Sequence, residues 1–265
     1  MPKISVITPS YNQAQFLERT IGSVLSQPVD LEYIIMDACS SDGSAEILER
    51  YRSRARVIIE KDKGQADAIA KGFALATGDI LAWLNSDDMY VPGALSKVVA
   101  AYEAGHEFVY GNVNIIDAMD NVLRKRVTIP VDFNDLYYGI YILPQEATFF
   151  SRRLYEECGG VNPEYHYAMD YDLWLRMARI RNPVRMDEVF SCFRFHEAQK
   201  SRRVDLYERE VMRARASLKG GGVDGKPQRL RRLSLGCRKF LANVRDAGIQ
   251  RTLMEIHRKQ IGSLP

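Results

Sequence analysis

Long apolar runs and closely spaced cysteines are both missing from this sequence of 265 residues. No stretch reaches the roughly 18 consecutive apolar residues of a membrane-spanning helix. The start, MPKISVITPSYN, has no basic segment followed by an apolar one, so no secretory signal is expected. The four cysteines lie too far apart for the close pairs of a zinc site, which favours free thiols in a reducing cytoplasm: Cys39, Cys158, Cys192 and Cys237.

The glycine-rich fingerprints of dinucleotide sites and P-loops are absent as well. No nucleic-acid-binding motif is evident, and the basic C-terminal stretch lacks interleaved aromatic residues for stacking, so nucleic acid is not an expected partner. What is present is an ordinary globular composition, with 46% hydrophobic and 27% charged residues. A chain of this length can bury a sizeable core as one large domain, alone or with an appendage.

Charge is unevenly distributed along the chain. The formal net charge is +3, but the segment from Lys219 onward has 11 Lys and Arg against 3 Asp and Glu, or +8, which leaves −5 for the rest. A mildly acidic body with a basic tail indicates that the tail meets something anionic.

Strands and helices alternate over the first 90 residues, which indicates a mostly parallel sheet covered on both faces. Strands are predicted here at 4–9, 31–37, 56–60 and 79–84. The pattern is less regular afterwards, with helices at 92–102 and 170–180 and strands at 107–117, 121–129, 147–151 and 189–196. A boundary is predicted near residue 200, before a helical extension with a flexible break at 219–227.

Polar residues follow the predicted strands, and in parallel sheets ligands bind at these carboxyl ends. Residues expected on this rim are Thr8, Pro9, Ser10, Tyr11, Asp37, Asp62, Asn85, Ser86, Asp87 and Asp88. Asp87 and Asp88 are adjacent carboxylates that suit Mg²⁺ or Mn²⁺ shared with a phosphate. The alternative is a solvated turn whose acids cap the helix after Pro92.

Four positions each have a functional and a structural interpretation. Tyr11 can stack on a flat base, or it is an ordinary partly buried aromatic residue. Asp37 can accept hydrogen bonds from the edge of the base, or it caps the turn that follows it. Asp170 can be a general base at a helix N-terminus or a plain cap, and Asp172 lies about 200° around the helix, so both cannot face one pocket. His196 ends a strand and is either a metal or phosphate ligand or a surface histidine.

Four stretches together resemble the family 2 glycosyltransferases, which have the nucleotide-diphospho-sugar-binding GT-A fold. They are ISVITPSYNQAQFLERTIGSVLSQ, YIIMDACSSDGSAEI, EKDKGQADAIAKGFALATGDILAWLNSDD, and GGVNPEYHYAMDYDLWLRMA with CFRFHEAQKS. The resemblance implies an α/β fold with a mixed, mostly parallel sheet, helices on both faces and a helical C-terminal extension. It implies a catalytic domain at 1–200, with a nucleotide-binding half at 1–90 and an acceptor-binding half at 91–200, and an extension at 201–265.

The resemblance also implies the reaction: metal-dependent, inverting transfer of a sugar from a nucleotide-diphosphate sugar, UDP by default, to a saccharide or lipid-linked saccharide hydroxyl. The implied pathway makes cell-surface polysaccharide or glycolipid, in the cytoplasm or peripherally on the inner face of the membrane. Asp170 is the implied base, and Asp87, Asp88 and His196 are the implied residues at Mg²⁺ or Mn²⁺. The implied nucleotide-binding residues are Thr8, Pro9, Tyr11, Asp37, Asp62, Asp67, Asn85 and Ser86.

The sequence departs from the family pattern at two positions. Asn85 replaces the first acid of the usual Asp-x-Asp motif. The asparagine can still form a hydrogen bond to ribose, but the replacement removes one negative charge. Met169 stands where a Glu often precedes the base, which leaves Asp170 alone. Asn85 also admits a different function, a catalytically inactive sugar-nucleotide-binding or scaffold protein. A nucleotidyltransferase would need an early glycine-rich loop with a basic residue, and TPSYNQAQF has neither.

The tail leaves three alternatives open. In residues 226–245 apolar side chains recur at spacings of three and four, with Arg and Lys between them: Leu230, Leu233, Cys237, Phe240, Leu241 and Val244. This amphipathic helix can pack its apolar face on the catalytic body, lie on an anionic membrane, or form a homodimer contact.

Overall fold

A computed structural model describes residues 1–138, 143–196, 204–218 and 228–248. The predicted domain boundary at residue 200 and the break at 219–227 lie outside these residues, so the division into domains stays a prediction. All four cysteines are within the described part, and all are free thiols.

Nine strands of the described residues belong to one sheet. They are β1 Ile4–Ser10, β2 Leu31–Asp37, β3 Arg56–Ile59, β4 Ile80–Trp83, β5 Met89–Tyr90, β6 Phe108–Ile116, β7 Val122–Arg126, β8 Thr148–Ser151 and β9 Val184–Arg194. Their order is β3-β2-β1-β4-β8-β6-β9-β5, and β7 pairs with β6. The first four strands in this order are parallel, so the residues that follow β1, β2, β3 and β4 meet at one edge.

The second half of the sheet is mixed. β8 runs antiparallel to both β4 and β6, β5 runs antiparallel to β9, and β9 runs parallel to β6. This arrangement brings the C-terminal end of β9 next to the segment after β4. Residues from widely separated parts of the chain therefore share the edge where the parallel strands end.

Helices cover both faces of the sheet. They are α1 Ala14–Leu25, α2 Ser44–Glu49, α3 Gln65–Leu75, α4 Ala94–Glu103, α5 Phe133–Tyr137, α6 Arg152–Glu157, α7 Met169–Ile180, α8 Val204–Ser217 and α9 Gln228–Ala247. Two apolar cores result: Ile4 and Val6 of β1 face one with α1 and α4, while Ile7 faces the other with α3 and α7. α3 lies close to β1 because Gly72 has no side chain; a Cβ there would lie 2.4 Å from Ile7.

The structure confirms the predicted alternation and differs from it in detail. β9 begins at Val184, five residues before the predicted strand, because its charged first half still pairs with β6, Val109 opposite Val184. β5, α5 and α6 are too short to give a periodic pattern. α5 nevertheless carries a capping box, in which Asp132 and Asp135 each accept a backbone N–H from the other's residue.

Candidate active site

A cavity of about 1050 Å³ opens at the carboxyl edge of the parallel strands. Its volume is in the range of pockets that enclose cofactor-sized ligands. The predicted site residues among those lining it are Pro9, Tyr11, Asp62, Asn85, Ser86, Asp87, Asp88 and Asp170. Asp87 and Asp170, which the sequence places 83 positions apart, therefore face one space.

Asp87 follows β4 and lies beside the end of β9. Its Oδ2 is 2.9 Å from Nε2 of His196, and the imidazole ring packs against Phe16 with ring centroids 4.9 Å apart. Both side chains are largely shielded from solvent. A carboxylate and an imidazole are oxygen and nitrogen donors of the kind that bind divalent cations. His196 is not among the described lining residues, so its role at a metal stays a prediction.

Asp88 also borders the cavity, but its side chain is engaged within the protein. It is buried, and its Oδ1 accepts a hydrogen bond from the backbone N–H of Arg194 at 2.9 Å. Burial raises the pKa of Asp88 well above its ordinary value, and the neighbouring Asp87 carboxylate raises it further. A direct ligand role for Asp88 stays a prediction, and its position favours Asp87 as the acid that faces a cation.

The turn that carries both acids is held from beneath by Arg194. This fully buried guanidinium donates from Nε to the Asp87 carbonyl at 2.7 Å and forms an ion pair with Asp120. It also lies over the ring of Phe16, 4.7 Å from the centroid. Thr20 of α1 adds hydrogen bonds from Oγ1 to the carbonyls of Ser86 and Asp88. The position of Asp87 is thus fixed by contacts from α1, β9 and the β6–β7 turn.

The predicted nucleotide residues after β1 and β2 separate into two groups. Tyr11 lines the cavity and is 63% exposed, so its ring has room to stack. Thr8 is buried against the Tyr33 hydroxyl, and Asp37 accepts hydrogen bonds from the backbone N–H and the hydroxyl of Ser40. Thr8 and Asp37 are not among the described lining residues. The turn-cap interpretation of Asp37 is therefore confirmed, and its contact with a base stays a prediction.

The loop between β3 and α3 supplies another wall. Asp62 lines the cavity and accepts the N–H of Gly64 at 2.8 Å. Asn85 Oδ1 accepts a hydrogen bond from Gln65 at 2.8 Å, which ties this loop to the turn after β4. Asp67 lies outside the described lining and accepts the N–H of Lys63, so its nucleotide contact also stays a prediction.

The first turn of α7 distinguishes between the two acids proposed for the base. Asp170 lines the cavity, and its Oδ1 accepts the N–H of Tyr171 at 2.8 Å. Asp172 is buried on the opposite side and forms an ion pair with Arg176, which in turn donates to the carbonyls of Cys158 and Gly160. Helical periodicity predicts this division, and the structure assigns the cavity to Asp170.

The segment that leads into α7 is held by α8. The Glu210 carboxylate accepts backbone N–H groups from three consecutive residues immediately before α7, at 2.7–3.1 Å: His166, Tyr167 and Ala168. A carboxylate at this position also complements the positive end of the helix dipole. The entry to the helix that carries Asp170 is therefore held by a residue beyond position 200.

Several lining residues have no distinctive motif in the sequence: Lys61, Gln65, Arg126, Gln145, Glu146, His166, Tyr167 and Tyr207. Glu146 is buried, and its Oε1 has no hydrogen-bond partner among the described residues. Burial raises the pKa of Glu146, although the Arg126 guanidinium opposes this. The only cue for Lys61 and Gln65 is their place within EKDKGQ, next to the predicted Asp62.

Two features are absent from the residues that the structure describes. In them, no group of three or more His, Cys, Asp or Glu side chains is placed to share a metal ion. Across the same residues, no helix has both the length and the apolar character needed to cross a bilayer.

The fold and the cavity together define a class. The structure is similar to that of Staphylococcus aureus TarS residues 1–349 in complex with UDP-GlcNAc, with a TM-score of 0.65, 17% identity and coverage of 91% of this chain and 72% of the 1–349 chain. It is also similar to the mannosyltransferase PcManGT of Pyrobaculum calidifontis in complex with GDP-Man and Mn²⁺, with a TM-score of 0.62, 17% identity and coverage of 100% and 76%. The chain thus has the fold of the GT-A glycosyltransferases, as its sequence predicts.

The family follows from sequence. Residues 5–159 match the pattern described as Glycosyl transferase family 2, and this chain belongs to that family. It is 27% identical over 216 residues to the Escherichia coli UDP-Glc:alpha-D-GlcNAc-diphosphoundecaprenol beta-1,3-glucosyltransferase WfgD, covering 75% of this chain and 78% of WfgD. Other curated relatives are longer proteins, and the chain spans between 36% and 41% of the length of three of them.

Proposed function

We propose that this protein is a metal-dependent, inverting glycosyltransferase that transfers a sugar from a UDP-sugar to a hydroxyl of a saccharide or lipid-linked saccharide. The observation that carries the proposal is the shared cavity, in which Asp87, paired with His196, and Asp170 face the same space. Membership of the family supports sugar transfer over the alternative of an inactive binding or scaffold protein.

The nucleotide is proposed to bind at the ends of β1 and β3. The exposed ring of Tyr11 offers a stacking surface, and Pro9 and Asp62 lie on the same cavity wall. Asn85 and Ser86 line the same cavity immediately before Asp87 in the sequence, and they are proposed to contact the ribose and diphosphate that would connect base and cation. UDP is the proposed nucleotide because TarS was solved with UDP-GlcNAc and WfgD is named for UDP-Glc. The GDP-Man complex of PcManGT makes GDP-sugars the first competitors to assay.

The donor set fits Mg²⁺ or Mn²⁺ shared with a substrate. Mg²⁺ is commonly held by one or two carboxylates, substrate phosphates and water rather than by an all-protein cage. Asp87 supplies such a carboxylate, and His196 supplies an imidazole, a ligand compatible with transition metals such as Mn²⁺. When bound, the cation would neutralise charge that develops on the departing diphosphate.

Asp170 is proposed to act as the general base. Its carboxylate lies at the cavity end of α7, where it would accept the proton of the acceptor hydroxyl as that oxygen attacks the anomeric carbon. Attack from the face opposite the leaving diphosphate inverts the configuration at that carbon. Tyr207 lies on the same wall, and burial together with the charge of Asp170 raises the pKa of its phenol, which keeps it protonated beside the base.

The acceptor is proposed to be part of a cell-surface polysaccharide or glycolipid under construction. WfgD is named for a diphosphoundecaprenol-linked acceptor, which supports a lipid-linked saccharide here. Such an acceptor lies in a bilayer, so the reaction would take place at the inner face of the membrane.

A screen of sugar nucleotides for diphosphate release, with Mg²⁺, Mn²⁺ or a chelator present, tests the proposal. We expect one UDP-sugar to be turned over only with metal, and the product anomer to be inverted. Metal-dependent UDP binding without turnover of any donor, even with saccharide acceptors added, would support the inactive binding protein instead. Retention of the anomeric configuration would contradict the role of Asp170.

A further inference from the structure

Helix α9 packs on the body of the protein through an unexpected face. Arg231 is buried in ion pairs with Asp132 and Asp135 at 3.2 and 3.1 Å, and Leu235 is buried one turn further on. Arg238 continues this face with a hydrogen bond to the Pro130 carbonyl at 2.7 Å. The helix is therefore anchored by two arginines and a leucine.

Four of the six regularly spaced apolar residues lie exposed on the other side of α9, whereas Phe240 and Val244 are half-buried. Leu230, Leu233 and Leu241 are 58%, 67% and 64% exposed, and Cys237 between them is exposed as well. At 3.6 residues per turn these four positions fall within about 80° of arc, and the stripe they form is roughly 16 Å long. We call these four residues the leucine stripe. The alternative that this face packs on the catalytic body is wrong for all four.

A stripe of this kind on a monomer marks an interaction surface. The charge around it selects the partner. Residues 228–247 contain six Lys and Arg and one acid, Asp246, which is paired with Lys125 of β7. Arg231 and Arg238 are bound to the body, which leaves four cations on the helix. One of these, Arg245, is 84% exposed, with Asp187 3.8 Å away. Apolar side chains surrounded by cations fit the boundary between the acyl chains and the head groups of an anionic bilayer.

A second copy of the chain fits this surface less well. A two-fold contact would bring two copies of the same cationic helix together, where like charges repel. The stripe has four residues, whereas a stable interface uses roughly 20–30 residues on each side. The docking partner that matches both the shape and the charge is therefore a membrane.

We propose that the leucine stripe of α9 docks the protein on anionic lipid, with the opposite face of the helix fixed to the catalytic body. Because Arg231, Leu235 and Arg238 hold that face, docking would set the orientation of the whole body relative to the bilayer. The surface is independent of the proposed catalytic chemistry, since binding to a bilayer needs neither donor nor metal.

Vesicle co-sedimentation of the full chain tests the proposal. We expect binding to phosphatidylcholine vesicles only when phosphatidylglycerol is added, with affinity falling as salt increases. The double variant Leu233→Asp/Leu241→Asp should lose roughly tenfold or more in partition coefficient, since it replaces two membrane-inserted leucines with charges. The matched control is Val122→Asp, at a residue 60% exposed on β7, which should bind as the wild type does.

Four measurements on the same proteins separate the outcomes. Unchanged vesicle binding by the double variant, or no binding by the wild type, would overturn the proposal. A change from dimer to monomer in sedimentation equilibrium would assign the stripe to a second copy instead. A clear fall in melting temperature would show that the stripe packs against the chain itself. Donor hydrolysis in solution should be the same for all variants, so a failure here is distinct from a failure of the catalytic proposal.

Discussion

The Nε2 atom of His196 lies 2.9 Å from Oδ2 of Asp87, although 109 positions separate the two residues. The contact joins the end of β9 to the turn after β4, and Phe16 of α1 holds the imidazole from the side. Both side chains are already largely shielded from solvent in the pair. A site preorganised in this way can bind a cation without reorganising the backbone, and this geometry underlies the first two predictions.

Asp87→Asn should reduce turnover by about 100-fold or more at low metal concentration, because it keeps the shape of the side chain but removes the charge that faces the cation. Part of the loss should be recovered as Mn²⁺ is increased. Metal titration of donor hydrolysis measures both effects. The matched control is Asp79→Asn, which lies at the opposite end of β4 and accepts the N–H of Lys3; full turnover there is expected. Loss of activity in both variants would mean that the effect is not specific to the cavity.

His196→Gln should weaken the apparent affinity for Mn²⁺ by about 10- to 100-fold, the usual effect of removing a ligand or the group that orients one. The KM for donor at saturating metal should change less, because the nucleotide wall around Tyr11 is untouched. Isothermal titration of Mn²⁺ with UDP present gives the metal affinity directly. An unchanged affinity would restrict His196 to packing against Phe16.

Asp170→Asn should lower kcat by about 10²- to 10⁴-fold, the range for loss of a general base, while donor KM and melting temperature stay near those of the wild type. Asp172→Asn is the matched control on the same helix turn. It should cost about 2 kcal/mol in the free energy of unfolding, because its buried ion pair with Arg176 is weakened, but keep kcat per folded molecule. Steady-state kinetics and denaturant unfolding of both variants separate the two roles. The reverse pattern would exchange the assignments.

Asp120→Asn should weaken metal-dependent donor binding by about 3- to 10-fold and also lower the melting temperature. Asp120 lies on the β6–β7 turn and pairs with both Arg19 and Arg194, and Arg194 holds the Asp87 carbonyl. Loss of the carboxylate charge leaves the buried Arg194 guanidinium without its ion-pair partner and loosens the turn that carries Asp87. Met119→Ala, on the same turn, is the control and should bind donor normally. Equal effects in the two variants would assign the loss to the turn backbone.

Glu146→Gln should become progressively more stable than the wild type as pH rises. Burial raises the pKa of Glu146 in the folded state, so its stabilising contribution is complete below the ordinary pKa of 4.5 and is lost as pH rises through the folded value. The variant has no proton to lose, so its advantage in melting temperature should be small at about pH 5 and larger at about pH 8.

Glu107→Gln is the control for this prediction, because the Arg153 guanidinium lowers the pKa of Glu107. Its stabilising contribution is present above the ordinary pKa and is lost as pH falls, so this variant should be less stable than the wild type at about pH 8, with a deficit that shrinks on acidification. Thermal unfolding of both variants across the pH range provides the comparison. A pH-independent difference for Glu146→Gln would show that its proton is not linked to folding.

The parts of the site that follow regular elements could be predicted from sequence. Short buried strands followed by acids locate Asp62 and Asp87, and helical periodicity separates Asp170 from Asp172. Strand ends also predict Thr8 and Asp37, but the side chains of these two residues are engaged by Tyr33 and Ser40. Strand position fixes where a residue lies, whereas local hydrogen bonds decide which way its polar atoms point.

The rest depends on long-range contacts that have no local pattern. Arg126 lies at the end of an edge strand, Glu146 in a single 3₁₀ turn and Tyr207 on α8, and only the folded chain brings them to one wall. The amphipathic spacing of α9 correctly predicts a helix with an apolar face. It does not predict which face contacts the body. Arg231 pairs with the buried Asp135, and Arg238 donates to the Pro130 carbonyl, and the sequence alone does not place these partners next to the helix.

The carboxylate of Glu210 that closes the start of α7 has a consequence for how such enzymes diversify. Exchange of C-terminal segments between relatives at the predicted boundary would separate the segment leading into the base-bearing helix from the carboxylate that holds it, even if every residue of the catalytic domain were retained. A hybrid would lose these hydrogen bonds unless the incoming segment carried an acid at the same position. Helices α7 and α8 therefore have to be inherited together. Recombination that keeps both helices from the same parent would leave turnover intact.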